Sequence, residues 1–169
     1  LGGASLRRTA EDLLFNKSLP LNAYRTSSFS LDKKSVTPLI MQTAIGQGNT
    51  LVSPMHMALI TCAIANDGVL MKPYLIDEVV NDSNDTVKKT EPVPYKRLMS
   101  SNEANLLGKL MKQVVDSGTA SSLSGRSYTV AGKTGSAEFD EEGHSHSWFI
   151  GYSNVDDPDL VVAVIVENG

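Results

Sequence analysis

The stretch from Ser53 to Ala65 (SPMHMALITCAIA) constrains this chain more than any other. Ser53 is a helix N-cap residue, and Pro54 suits the first helical position that follows it. Met55, Ala58, Leu59, Cys62 and Ala65 then recur at the i, i+3, i+4, i+7 spacing, and Asn66-Asp67-Gly68 supplies a stop. A helix this apolar has almost no polar face to leave in water, so the rest of the chain has to cover most of its sides. Its run from Met55 to Ile64, like the later run from Leu160 to Val166, is far shorter than the roughly 20 residues that cross a bilayer. With 169 residues, 41% of them hydrophobic and 20% charged, the chain can build one core of ordinary domain size, which excludes collagen-like, low-complexity and disordered classes.

Other elements arrange themselves around that helix. Residues 6 to 15 carry a weak helical pattern that ends in the turn formers Asn16-Lys17-Ser18-Leu19-Pro20. Residues 20 to 35 are Ser-rich and aperiodic, and are expected to form an extended surface segment. Pro38 to Ile45 predicts a helix closed by Gly46-Gln47-Gly48. Tyr74 to Val80 and Thr86 to Lys88 read as a peripheral hairpin about Asn81-Asp82-Ser83-Asn84-Asp85. Ser100-Ser101-Asn102-Glu103 is a capping box, opening a helix whose predicted apolar face is Ala104, Leu107, Leu110, Met111 and Val114, with Gly118 as its end. From Tyr128 the period changes to β, with strands expected over Tyr128 to Ala137, His146 to Ser153 and Leu160 to Glu167. Helices first and an antiparallel meander afterwards predict an α+β domain, with a helical part over about 1–127 and a sheet part over about 128–169.

The charge balance is 15 basic against 19 acidic residues, a formal −4, which argues against a nucleic-acid partner because phosphate binding needs a basic surface. Cys62 is the one cysteine and, set at helical spacing among apolar residues, reads as a small core residue. His144-x-His146 has no Cys beside it, and the third histidine, His56, is far away in sequence, so no metal site is expected. Glu138, Asp140, Glu141 and Glu142 read as a solvated acidic turn that rims whatever lies beside it. No residue pattern calls for a cofactor.

The residues that carry chemistry are Lys133-Thr134-Gly135-Ser136, inside a predicted strand. A glycine within a strand has one common use, which is to let another backbone or a ligand come close. Beside it, Lys133 supplies positive potential, and the hydroxyls of Thr134 and Ser136 can donate to a carboxylate. The free N–H groups of an edge strand can bind an extended peptide.

Lys133-Thr134-Gly135 resembles the K-T-G element of serine penicillin-binding proteins and β-lactamases. The resemblance extends in order through Ala44-Ile45-Gly46-Gln47-Gly48, Val52 to Ala58, Ala63 to Pro73 and Met111 to Thr119 with its V-V-x-x-G-T pattern. It continues through Ala131 to Glu138 and His146 to Tyr152, so that about residues 12 to 168 are similar to the C-terminal part of a class B penicillin-binding transpeptidase domain. The resemblance implies a fold of helices packed on an antiparallel sheet, incomplete at both ends. It also implies a parent that cross-links peptidoglycan stem peptides through an acyl-serine intermediate, and that is acylated by β-lactams at the same serine. Lys133 would bind and polarise at the cleft, Thr134 and Ser136 would hold the substrate carboxylate, the Ser136 N–H would be half of the oxyanion hole, and Gly135 would permit close approach. Gln47 would support the site, and Trp148 and Phe149 would pack the sheet rather than serve the site.

The same resemblance locates the nucleophilic S-x-x-K and the S-x-N motifs upstream of this region. Ser30-Leu31-Asp32-Lys33 fits the first pattern but lies in a polar, aperiodic stretch, and Ser100-Ser101-Asn102 is accounted for by the capping box. The chain, which opens on Leu1-Gly2-Gly3-Ala4-Ser5 and stops at Val166-Glu167-Asn168-Gly169 where a further helix is expected, therefore reads as a piece without its nucleophile, inert alone. A face left uncovered by missing helices is expected to drive self-association. The implied location is the extracytoplasmic face of a bacterial membrane, through an N-terminal anchor that this chain lacks, among the cell-wall synthesis machinery. Two other readings stay open: a penicillin-sensing or non-catalytic binding domain, and a serine β-lactamase.

Overall fold

The computed structural model describes residues 2–21, 26–31, 34–140 and 142–169. The apolar helix predicted first is α3, Pro54–Ala65, with the Ser53 hydroxyl accepting from the His56 N–H at its start. Two other helices precede it: α1, Gly3–Asp12, and α2, Thr37–Ala44 with Pro38 in its first turn. Three short strands and one more lie in the middle of the chain: β1 (Val69–Met71), β2 (Glu78–Val80), β3 (Thr86–Lys89) and β4 (Pro94–Arg97). Helix α4, Ser101–Ser117, carries the expected capping box, and a 3-10 turn at Ser121–Leu123 leads to β5 (Val130–Glu138), β6 (Ser145–Ser153) and β7 (Val161–Val166).

Strands β5, β6 and β7 form the antiparallel meander read from the sequence, in that spatial order. The expected hairpin is the β2–β3 pair, whose turn is fastened by the Asn81 side-chain oxygen accepting from the Ser83 and Asp85 N–H groups at 3.0 and 2.9 Å. Strands β1 and β4, which pair with each other, were not expected; three or four residues are too few to show a period.

The core lies where α3 and α4 meet the inner face of the meander. Leu59, Ile60, Ala63 and Ile64 of α3 join Leu14, Leu19, Leu70, Leu98, Met111, Ala131 and Tyr152 in one cluster. Buried positions occur all round α3 rather than on a single stripe, as its composition requires. The face of α4 is turned from the predicted one: Ala104, Gly108, Met111 and Val115 are buried, while Leu107 and Leu110 are exposed. Gly108 suits this face, because a Cβ there would fall 2.6 Å from the Tyr152 hydroxyl and would have to displace it. Cys62 is half-buried rather than enclosed, and burial pushes its thiol pKa up, which keeps it protonated and unreactive.

The segment expected on the surface is a second correction. Within its described residues, Ser27 is 3% and Leu31 1% exposed, and Ser28 forms a bridge with Leu51. Asn16, at a φ of 60°, exchanges two hydrogen bonds with the backbone of Phe29, each 3.0 Å, which pins this strip to the end of α1. Polar, aperiodic sequence hides such a tie, because the partner is backbone and leaves no hydrophobic pattern. Asn22 to Arg25, Asp32 and Lys33 lie outside the described residues, so the Ser30-Leu31-Asp32-Lys33 pattern is placed only through Ser30 and Leu31.

His56 stands at the centre of this packing with no solvent exposure. Its Nε2 lies 2.7 Å from the Leu13 carbonyl, and since a carbonyl only accepts, Nε2 carries the proton. Nδ1 is buried without a partner, and Phe15 packs on the ring at a centroid distance of 4.8 Å. Burial lowers the imidazole pKa, partly offset by the bond to Leu13. The unfolded chain therefore takes up this proton more readily than the folded one. The stability contribution is complete above the unfolded value of about 6.5 and is lost as pH falls toward the lower folded value. The melting temperature should fall between about pH 7.5 and about pH 5.5, and His56→Gln should flatten that slope. An unchanged slope in thermal melts of His56→Gln would assign the pH dependence elsewhere.

Candidate functional site

Strand β5 carries Lys133, Thr134, Gly135 and Ser136, and its register decides what each residue can reach. It pairs with β6 over nine consecutive positions, among them Lys133 with Ile150, Thr134 with Phe149, Gly135 with Trp148 and Ser136 with Ser147. Beyond the strand end, the Phe139 N–H donates to the His144 carbonyl at 3.1 Å. Antiparallel pairs alternate between bonded and non-bonded, so Ala137, Gly135 and Lys133 turn their amides toward β6. Thr134 and Ser136 then turn both N–H and C=O to the opposite, open edge of the sheet. Two contacts agree with this parity. Lys133 Nζ donates to the Thr134 carbonyl at 2.6 Å, and Gln47 Nε2 donates to the Ser136 carbonyl at 3.2 Å.

The edge faces a groove of about 530 Å³. Lys133 to Ala137, Trp148 and Ile150 line one wall, while Phe15, Ile45, Gly46, Thr50, Val52 and Met57 line the other. Gly46 and Gly48, at φ of 87° and 77°, let the chain fold tightly on both sides of Gln47 and present its carboxamide across the groove. Among the described residues Lys133 makes no ion pair, so its charge is available to an anion at the edge.

Thr119 completes the arrangement and was not singled out as a site residue. Its hydroxyl lies 2.6 Å from that of Thr134, each able to donate to the other. The signal was present in the V-V-x-x-G-T stretch, where Thr119 follows directly on the Gly118 helix end. Trp148 likewise lines the groove rather than only packing the sheet, whereas Phe149 is on the other face.

The two glycines of β5 do different things. A Cβ on Gly132 would fall 2.6 Å from Phe149 Cε2 and 3.0 Å from the Ile150 carbonyl oxygen, so the ring of Phe149 requires that glycine. A Cβ on Gly135 would meet only Trp148 Cβ, at an ordinary 3.5 Å. Nothing in the sheet itself demands Gly135, which lines the groove.

The remaining eye-catching residues are engaged locally. His144 Nδ1 is 2.6 Å from Asp140 Oδ2, and Asp140 Oδ1 accepts from the N–H groups of Glu142 and His144. His146 stacks on Phe139 at 4.4 Å, and its Nδ1 accepts from the Asn168 N–H. Glu141 lies outside the described residues. Ser100 and Asn102 belong to the start of α4, where the Ser100 hydroxyl and Glu103 cap each other's N–H groups.

An α+β domain whose meander sheet offers a K-T-G strand at its open edge has the architecture of the serine penicillin-binding transpeptidases. The family model described as penicillin binding protein transpeptidase domain matches residues 1–169. The chain belongs to that family and corresponds to part of a class B penicillin-binding protein transpeptidase domain. It is 33% identical over 133 residues to peptidoglycan D,D-transpeptidase PbpA of Mycolicibacterium smegmatis, covering 75% of this chain and 26% of that protein. It is 31% identical to penicillin-binding protein 3 of Bacillus subtilis, over 99% of this chain and 25% of the relative. The imipenem acyl-enzyme complex of penicillin-binding protein A from M. tuberculosis superposes with a TM-score of 0.83 at 26% identity, over 98% of this chain and 38% of that one. The chain thus spans about a quarter of the length of these curated relatives.

The contrast between the glycines is open to measurement. Gly132→Ala should destabilise the fold by about 1–3 kcal/mol, through displacement of Phe149. Gly135→Ala should stay within about 0.5 kcal/mol of the parent sequence in thermal or denaturant unfolding. Equal losses at both positions would mean that Gly135 too is held by packing.

Proposed function

We propose that these 169 residues are the substrate-edge portion of one larger transpeptidase domain, in a peptidoglycan D,D-transpeptidase that β-lactams also acylate. The observation that carries this reading is the parity of β5: Ser136 points its N–H at the groove, with the Thr134 and Ser136 hydroxyls and the Lys133 ammonium on the same short strand. An extended peptide laid along that edge finds the N–H groups of Thr134 and Ser136 as backbone donors. A terminal carboxylate, or the carboxylate of a penicillin, finds two hydroxyl donors and a cation.

In the reaction a serine Oγ attacks the carbonyl carbon of the D-Ala-D-Ala bond. The carbonyl oxygen takes on negative charge, and the Ser136 N–H is one of two donors that stabilise it without rearrangement. Collapse breaks the C–N bond, releases D-alanine with the proton taken from the serine, and leaves an acyl-serine ester. The amine of a second strand then attacks that ester, forms the new peptide bond and restores the serine. With a β-lactam the same attack opens the ring, and the leaving amine stays tethered. Gly135 keeps the strand bare where the acyl group passes.

The nucleophile, its lysine and the S-x-N motif are assigned to sequence beyond these residues, consistent with the quarter of the relatives' length that the chain spans. The protein is placed at the extracytoplasmic face of the bacterial membrane by an anchor outside this chain. There it would work with stem peptides and other cell-wall synthesis proteins.

Intact-mass spectrometry after incubation with a penicillin tests the reading. The full-length gene product should gain the mass of one penicillin, and the 169-residue chain alone should gain none. An adduct on Ser30 or any other serine of this chain would locate the nucleophile within it. No adduct on either would favour a non-catalytic domain, and steady release of hydrolysed penicillin would favour a β-lactamase.

In the full-length protein, Gly135→Val should lower the acylation rate by at least about tenfold, since a side chain would then occupy the approach to the edge. The rate of adduct formation is the measurement, and an unaltered rate would remove Gly135 from the site.

A further inference from the structure

We propose that Gln47 is a positioning residue, whose carboxamide N–H holds the Ser136 carbonyl and thereby fixes the strand edge that receives the acyl group. The inference rests on the transpeptidase reading above and adds to it a defined donor with a defined acceptor. Gln47 and Ser136 are 89 residues apart in sequence, and their 3.2 Å hydrogen bond bridges the turn after α2 to the open edge of β5 across the groove.

Three features of the structure make this contact more than a chance surface bond. First, the bond acts on the Ser136 carbonyl itself, while the Ser136 N–H emerges from the same edge of the strand, so a shift of one moves the other. Second, β5 has no strand on that edge among the described residues, so its strand-to-strand hydrogen bonds come from β6 alone. The amide that must meet a developing oxyanion has little tolerance for displacement, and a donor on the unpaired edge limits it further. Third, Gln47 sits in the C-terminal cap of α2, where left-handed Gly46 donates its N–H to the Thr43 carbonyl at 3.1 Å, so the residue starts from a defined backbone rather than a free loop. Thr43 Oγ1 donates to the Leu39 carbonyl, and the Gln47 N–H donates to the Gln42 carbonyl at 2.9 Å, so the turn is fastened to α2 and gives Gln47 a fixed base.

A carboxamide can donate to a carbonyl, whereas an ionised carboxylate cannot. Replacing Gln47 by Glu keeps size and reach but sets acceptor against acceptor near neutral pH, and restores a donor when the carboxyl is protonated. A packing role would not follow that protonation.

The test uses the full-length protein, its Gln47→Ala and Gln47→Glu variants, and a penicillin as the acylating probe, with rates read by intact mass from about pH 8 to about pH 4, which spans the ordinary titration of a glutamate. Relative to the parent sequence, both variants should acylate more slowly near pH 8, by about fivefold for Gln47→Ala, the size of one lost hydrogen bond, and by more for Gln47→Glu. As pH falls, the ratio of Gln47→Glu to the parent should climb while that of Gln47→Ala stays level. Thermal melts of the same proteins over the same range detect any variant that fails to fold, and the Gln47→Glu melting temperature should recover toward that of the parent at low pH. An acylation ratio for Gln47→Glu that does not respond to pH, or Gln47→Ala acylating at the parental rate, would overturn the proposal and leave the transpeptidase reading intact. A parent protein that takes no penicillin at all would instead remove the transpeptidase reading, and this proposal with it.

Discussion

Nine consecutive pairs between β5 and β6, from Val130 with Ser153 to Glu138 with Ser145, fix the direction in which every group of the site points. The side-chain period of a strand is two, so a slip of one residue would exchange its faces and its bonded and free amides together. Ser136 would then bury its N–H against β6, and Gly135 would offer its own at the edge without a hydroxyl beside it. The register is protected by packing on both faces. On one side the Phe149 ring lies across Gly132 and Gly151, and on the other Ala131 and Tyr152 enter the core with α3 and α4. A slipped strand would set a side chain against Phe149 and withdraw the core residues.

The helices translate that register into a cleft. Helix α3 is apolar on nearly every side and serves as the post around which α4, the sheet and the turn after α1 collect. His56 ties α3 to the end of α1 through the Leu13 carbonyl, and Phe15, two residues further on, packs against the core and also lines the groove. Core and cleft therefore share residues: Phe15 packs on buried His56 and also looks onto Lys133 to Ala137. Gln47 reaches the strand from the end of α2, so the width of the groove is set by elements distant in sequence.

The site combines a rigid strand with polar groups that have few obligations elsewhere. Lys133 and the hydroxyls of Thr134 and Ser136 stand at the rim, partly satisfied by Thr119 and by backbone, and none is locked in an ion pair among the described residues. Anion recognition needs that balance, because a donor fully engaged in the fold cannot turn to a ligand, and one on a mobile loop would need ordering on each encounter.

Much of this was legible in order along the chain. Ser53-Pro54 and the apolar run after it, the Ser100–Glu103 capping box, the Gly46-Gln47-Gly48 stop and the three terminal strands all rest on local chemistry, since caps, turns and periodicity involve residues within a few positions of one another. The K-T-G element and the stretches around it carried the family in the same way. Partnership between distant residues was not legible. Gly108 on the buried face of α4 met Tyr152, the strip at Ser27 to Leu31 was buried by backbone bonds from Asn16, and Thr119 met Thr134 at the sheet edge. Gly132 and Gly135 look alike in sequence, and only the ring of Phe149 separates a glycine of the fold from a glycine of the groove. The sequence by itself determined most of the elements, their order and the strand that bears the K-T-G residues. The tertiary structure decided which atoms of that strand are free, because that depends on register and on contacts made across long stretches of chain.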